Sequence, residues 1–191
     1  MAKADLSLSK DGFLAAKFFG RLHVEHVWAY YLFNKHARIQ ALLHKMKYHN
    51  MPELGELVGE KLGAALNHLN PELAIDVIVP VPLHKSRLRR RGYNQSDYFA
   101  RGLSKCLHCD IATDIVTRTK DTETQTRKSR VQRWENVNEI FKVIDNSLLQ
   151  DKNVLLVDDV ITTGSTIEAC GQSILEVGIK SLSIASMAAA K

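Results

Sequence analysis

Cysteine is scarce in this chain, with three in 191 residues, and tryptophan scarcer still, with two. Three thiols cannot build a disulfide framework, so a reducing, cytoplasmic setting is expected. No run of about 18 apolar residues occurs, and no membrane span is expected. The first ten residues, Met1 to Lys10, lack a long apolar core and do not read as a signal peptide. Gly-x-Gly-x-x-Gly is absent, and the one small-residue loop of interest has no lysine after its glycine, which excludes a Walker A loop. What remains is an ordinary composition: 45% hydrophobic, a net charge of +5 and a pI of about 9.1. The size fits one domain, or one domain with a small appendage. The positive balance suits an anionic ligand, small phosphates or nucleic acid, without choosing between them.

The pattern of apolar residues lays out the chain. From Val24 the spacing is helical (Val24, Val27, Trp28, Tyr31, Leu32, then Ile39, Leu42, Leu43, Met46), which predicts one long helix or two with a break near Asn34-Lys35. Pro52 opens another helix whose stripe runs from Leu54 to Leu69, and Pro71 ends it. Ile75 to Val79 reads as a buried strand running into Pro80-Val81-Pro82, where regular pairing stops. Asn94 is a good N-cap for a helix over 95–107, and Ile111 to Thr117 reads as a second strand. Residues 118 to 136 carry Arg118, Lys120, Arg127, Lys128, Arg130 and Arg133 among threonines, the pattern of a long loop and candidate lid. A short strand over 140–144, a strong one over 154–157, a helix over 165–177 closed by Gly178 and a last strand over 181–185 complete the reading. Strands alternating with helices predict an α/β fold: a mainly parallel sheet flanked by helices, 71–191, preceded by an N-terminal helical extension, 1–70.

The richest stretch runs from Val154 to Thr166. An apolar strand ends in two acids, Asp158 and Asp159, and Thr162-Thr163-Gly164-Ser165-Thr166 opens a helix. In open α/β sheets ligands bind at that edge. Gly164 lets backbone approach a ligand, the helix N-terminus favours an anion, and the hydroxyls add donors, so a phosphate monoester is the expected occupant. Adjacent strand residues point to opposite sides. One aspartate can therefore accept bonds from sugar hydroxyls while the other meets the sugar or a hydrated Mg²⁺. The densest basic patch is Lys85, Arg87, Arg89, Arg90 and Arg91, where one or two residues can hold an anion and the rest are solvated or meet a polyanion.

Val157-Asp158-Asp159-Val160-Ile161-Thr162-Thr163-Gly164-Ser165-Thr166 resembles the phosphoribosyl-pyrophosphate (PRPP) signature of type I phosphoribosyltransferases. Phe19-Gly20-Arg21, Lys47-Tyr48, Val79 to His84, Arg91-Gly92-Tyr93-Asn94-Gln95 and the segment from Gln125 to Val137 resemble the competence protein F (ComF) family, a branch of amidophosphoribosyltransferase-like proteins. The resemblance implies that Asp158 and Asp159 bind the ribose 2- and 3-hydroxyls, and reach Mg²⁺ only through water or ribose. It implies that Thr162, Thr163, Gly164, Ser165 and Thr166 hold the 5-phosphate, with Mg²⁺ on the pyrophosphate. The loop after the first sheet strand then contacts pyrophosphate through backbone N–H groups. Prolines donate none, so Val81, Leu83 and His84 supply them, helped by Lys85, Arg127 and Arg130. The branch often carries an N-terminal zinc ribbon of four cysteines, which is missing here. Cys106 and Cys109 are a lone pair, short of the four ligands structural zinc needs.

The implied reaction displaces pyrophosphate from PRPP with a nitrogen nucleophile, Mg²⁺ serving as cofactor. Salvage enzymes for 6-oxopurines place an aspartate where this chain has Thr162, a poor general base, so that class of acceptor is disfavoured. No glutaminase domain is visible, and an amination would take ammonia from elsewhere. The rival reading is a non-catalytic PRPP- or nucleotide-binding protein, or a competence (DNA-uptake) accessory. That role has single-stranded DNA or competence proteins as partners, with Tyr93 and Tyr98 as the nearby stacking candidates. The acceptor and a homodimeric state are left open.

Overall fold

The structure, a computed structural model, describes residues 12–33, 39–48, 50–119 and 140–191. After a single helical turn, α1 (Phe13–Ala16), the chain enters strand β1 (Val27–Phe33) and then helices α2 (Ile39–Tyr48) and α3 (Glu53–Leu69). Strand β2 (Val77–Pro80), the short helix α4 (Lys85–Arg91), helix α5 (Gln95–Leu107) and strands β3 (Asp110–Ile111) and β4 (Val116–Arg118) follow. Strand β5 (Phe141–Val143), strand β6 (Asn153–Ile161), helix α6 (Ser165–Leu175) and strand β7 (Ser181–Ala190) complete the chain. Five strands make one parallel sheet in the order β1-β7-β6-β2-β3, while β4 and β5 form a separate antiparallel ribbon.

Parallel sheets are covered on both faces, so their strands read as apolar runs rather than alternating ones. Along β6, Val154 and Leu156 enter one core with Phe18, Ile167, Ile174 and Ile184. Leu155 and Val157 enter the other with Leu62, Leu66, Phe99, Leu103 and Met187. The second core lies under α3 and α5, whose backbones nearly touch: a Cβ on Gly102 would sit 2.0 Å from the Glu56 carbonyl oxygen, and one on Gly59 2.3 Å from that of Phe99.

Two expectations are corrected. The Val24 to Leu32 stretch is not helical; Val27–Phe33 is a strand that pairs with β7 from Val27↔Ile184 to Phe33↔Ala190. A continuous apolar run fits a buried strand as well as a helix, and β-branched and aromatic side chains decide for the strand. The segment expected as a helical extension thus supplies α1, α2 and α3 together with an edge strand of the main sheet. The single strand expected over 111–117 is two, in different sheets: Ala112 donates to Ile78 O at the end of the β2–β3 pairing, and the chain bends at 113–115 before β4.

Candidate functional site

Strand order reverses its sense between β2 and β6: from β2 the chain moves outward to β3, from β6 the other way to β7. Such a switch point opens a crevice at the carboxyl ends of the two strands. The register shows it. β2 stops pairing at Pro80↔Val157, whereas β7 follows β6 on to Ile161↔Ala189. The acids were expected at a strand tip after Val157; they sit within β6, with Asp158 opposite Ser186. β7 runs on beside them, whereas β2 has ended. Asp159 is 8% exposed and Asp158 half-buried. Asp158 Oδ1 accepts from the Asp159 N–H at 2.8 Å and from Ser96 Oγ at 3.1 Å.

The loop that follows is shaped by Gly164, whose φ of +82° is left-handed, so that it caps α6. Thr163 Oγ1 accepts from the Ser165 N–H at 3.4 Å and lies 3.1 Å from Ser165 Oγ. Helix geometry leaves the first N–H groups of α6 without intrahelical partners, facing the loop. Asp158 and residues 160–167 line a cleft of about 30 Å³, on the order of two water molecules, which suits one tetrahedral anion. Asp158 and Thr162, Thr163, Gly164, Ser165 and Thr166 are thus brought together as expected from the sequence.

The N-terminal segment clips this loop from behind, a support the sequence reading missed. Lys17 Nζ donates to Thr162 O at 3.2 Å, and Arg21 Nη1 donates to Thr163 O at 3.1 Å and to Lys17 O at 3.0 Å. Arg21 also pairs with Glu168 on α6. The fully buried Phe18 ring lies under Gly164, where a Cβ would come within 2.9 Å of it. Phe19-Gly20-Arg21 stands out as a motif, but nothing local in it tells that Arg21 reaches a loop 142 residues away. Beside the clip, Gly12, Ala15, Ala16 and residues 18–24 border a larger concavity of about 790 Å³.

Across the crevice, the β2 loop departs from expectation at Val81. Its N–H donates to Val157 O at 2.8 Å and its side chain is buried in the core, so it cannot be a ligand donor. Leu83 and His84 remain in the loop, and the His84 ring is turned to cap α4, its Nδ1 accepting from the Ser86 N–H at 3.3 Å. Lys85 follows, exposed in the first turn of α4, and Arg89 and Arg90 are exposed in its last turn. Asn94 caps α5 as predicted, its Oδ1 accepting from the Ser96 N–H at 3.3 Å, and its Nδ2 donates to Val81 O at 3.1 Å and Asp97 Oδ1 at 2.7 Å. Burial pushes the Asp97 carboxyl up to about 6, against the opposing pull of the Asn94 bond and Arg101.

Arg127 and Arg130, with Lys128 and Arg133 of the expected lid, lie outside the described residues. The two tyrosines proposed as stacking platforms are engaged: Arg101 lies 4.4 Å over the Tyr98 ring, Tyr93 meets Tyr98 edge-on at 5.7 Å, and the Tyr93 hydroxyl donates to Met46 O. Cys106 Sγ donates to Glu60 O, and burial raises the Cys109 thiol to about 11. Among the described residues no three His, Cys, Asp or Glu side chains group to hold a metal, and no helix is long and apolar enough to cross a membrane.

The phosphoribosyl transferase domain family matches residues 94–191. Over 149 residues the chain is 33% identical to "DNA utilization protein YhgH" of Escherichia coli (strain K12), covering 76% of this chain and 65% of that protein. It is 36% identical over 116 residues to "Competence protein F" of Haemophilus influenzae, covering 60% of this chain and 51% of that protein. The chain therefore spans less than two thirds of these relatives' length. Among solved structures, an adenine phosphoribosyltransferase superposes with a TM-score of 0.50 at 19% identity over 74% of this chain and 72% of that one. An allosteric regulatory enzyme of purine biosynthesis does so with 0.50 at 17% over 75% and 30%. At such identities the likeness is one of fold.

Proposed function

The chain belongs to the phosphoribosyl transferase domain family, in its competence protein F-like branch, and from that premise we propose that it binds PRPP with Mg²⁺ and transfers the phosphoribosyl group to a nitrogen nucleophile, releasing pyrophosphate. The observation that carries this reading is the joint placement of Asp158 and the Gly164 loop at the open end of β6. A phosphate seated on the α6 N-terminus leaves its ribose within reach of the acid pair. Asp158 and Asp159 accept from the ribose hydroxyls and orient C1, while Thr163, Gly164, Ser165 and Thr166 hold the 5-phosphate.

Mg²⁺ fits this donor set in one way. Two adjacent carboxylates do not cage an ion, but Mg²⁺ keeps several waters, so Asp158 and Asp159 would reach it through water or ribose while substrate phosphate oxygens bind it. Bound so, it would supply charge neutralisation for the leaving pyrophosphate. The chain's own share of that task falls to the Leu83 and His84 amides and to Lys85, with Arg127 and Arg130 as candidates from the lid segment. Thr162 sits where a base for 6-oxopurines is needed and cannot serve as one, which favours an acceptor that needs no proton removed there, such as an amine. The test is calorimetry with PRPP and Mg²⁺: binding that Asp159→Asn weakens supports the reading, and no heat at millimolar PRPP refutes it. A screen of amines and bases for pyrophosphate release then identifies the acceptor.

A second reading rests on the exposed cationic surface of α4. Lys85, Arg89 and Arg90 face solvent, and the curated relatives carry DNA-utilization and competence names. Here the domain is a non-catalytic ligand-binding or DNA-associated accessory. Steeply salt-dependent binding to single-stranded DNA, lost on neutralising Arg89, Arg90 and Arg91, would favour it. The engaged Tyr93 and Tyr98 rings count against a stacking surface there.

A further inference from the structure

We infer that the buried run Asn94-Gln95-Ser96 is a positioning device that ties the two walls of the crevice together and fixes Asp158 for its ligand. The inference rests on the PRPP reading above. Polar side chains at the start of a helix are ordinarily solvent-facing caps, yet these three are 6%, 1% and 3% exposed. Each is spent on something other than solvent. Asn94 Nδ2 donates to the Val81 carbonyl, so the cap of α5 also holds the β2 loop. Gln95 Oε1 accepts from Arg91 Nη1 at 2.8 Å, fixing the turn between α4 and α5. Ser96 Oγ donates across 62 residues of sequence to Asp158 Oδ1.

The consequence is geometric. Val81 N–H bonds to Val157 O, Val81 O accepts from Asn94, Asn94 Oδ1 accepts from the Ser96 N–H, and Ser96 Oγ returns to Asp158, one residue past Val157. The bonds close a ring around the mouth of the switch point, where the β2–β6 ladder has just ended. Asp158 lies one residue past the last β2 partner, so the bond from Ser96 takes over where the ladder stops. With Ser96 and the Asp159 N–H both on Oδ1, two bonds from different elements restrain the carboxylate. Ser96 is thus a positioning residue for the ribose end of the site, with no part in holding the 5-phosphate.

That division gives the test. Dissociation constants for PRPP with Mg²⁺, and separately for inorganic phosphate, are measured by calorimetry on the full chain and on Ser96→Ala. Loss of one bond to a charged acceptor is expected to weaken PRPP by about tenfold and to leave inorganic phosphate within about twofold. In an Asp158→Asn background the same Ser96→Ala change is expected to alter PRPP affinity by less than about twofold, because the partner it positions has gone. If alanine does not fold, Ser96→Cys, close in shape but a weak donor, serves in its place. Unchanged PRPP affinity in Ser96→Ala overturns the inference, as does a parallel loss for both ligands, which marks general loosening. A wild-type chain that binds inorganic phosphate but not PRPP overturns the reading beneath it and the inference together.

Discussion

Gly102→Ala is expected to be among the most damaging single-methyl changes in the chain. An added Cβ would lie 2.0 Å from Glu56 O, 2.7 Å from Glu60 N and 2.9 Å from Glu56 C, all backbone of α3. Ordinary contact begins near 3.4 Å, so the two helices must part by more than ~1 Å, and no flexible side chain can yield instead. Parting them loosens Leu62, Leu66, Phe99 and Leu103, all fully buried between α3, α5 and the sheet. Overpacking of a tight core costs about 1–3 kcal/mol, and rigid backbone neighbours put this site at the upper end. Alanine recovers up to about 1 kcal/mol of helix propensity. The net is about 2 kcal/mol, or roughly 4–8 °C in Tm for a domain of this size. Gly55→Ala is the internal control. Its added Cβ meets the far end of the flexible Met46 side chain, Cε, at 2.9 Å, and its backbone neighbours lie no closer than 3.4 Å, so its net effect should stay within about 0.5 kcal/mol of zero. Thermal melts by circular dichroism decide. A Gly102→Ala protein that melts within 1 °C of wild type, or a Gly55→Ala protein that falls as far, refutes the close-packing argument.

Gly164→Ala combines a left-handed φ of +82° with a Cβ 2.9 Å from the Phe18 ring. Backbone strain of about 1–3 kcal/mol is expected to lower Tm and to weaken PRPP at least tenfold in calorimetry. Asp97 titrates near 6 in the folded chain, above its ordinary 3.8, chiefly through burial. Its favourable contribution is full below pH 3.8 and is lost as pH rises through about 6. Asp97→Asn should therefore leave stability unchanged near pH 4 and raise it by about 1 kcal/mol at pH 8, a figure reduced for partial solvent screening and read from urea midpoints at the two pH values. Arg21→Met removes the bonds to Thr163 O and Lys17 O and the Glu168 pair. Because that pair is partly exposed, stability should move by less than about 1 kcal/mol, while affinity for inorganic phosphate falls severalfold by calorimetry.

What the sequence disclosed was local. The Asn94 cap and the helix behind it, and the succession of strand, acid pair, glycine loop and helix after Val154, each declare themselves within a dozen residues, because caps and turns are decided by neighbours. β1 was misread because Val27 to Phe33 is apolar throughout and periodicity cannot separate a buried strand from a helix. β6 outran its expected end because Asp158 and Asp159 look like a strand's terminus, whereas β7 continues the ladder beside them. Val81 was assigned to a ligand for lack of any sign that Val157 O would claim its N–H first. Ser96, Lys17 and Arg21 were missed because their partners lie 62, 145 and 142 residues away. The Gly55, Gly59 and Gly63 spacing, which lets α3 meet α5, was visible but reads equally as a weak helix.

These long-range contacts divide the site's support into two kinds. The Thr162 to Thr166 loop is clipped by Lys17 and Arg21, whose interactions lie at the surface and are open to screening. Asp158 is held by Ser96, whose position follows from α5, and α5 is seated by backbone contact with α3 through Gly59 and Gly102. A displacement of α5 therefore reaches Asp158 directly, through one side chain, but reaches the Thr162 to Thr166 loop only through the sheet. On the PRPP reading, the ribose end of the crevice is set by a bond from a core helix, and the phosphate end by surface cations over the buried Phe18. That asymmetry suits a ligand whose phosphate must enter and leave a loop while its sugar is held in one orientation for attack at C1.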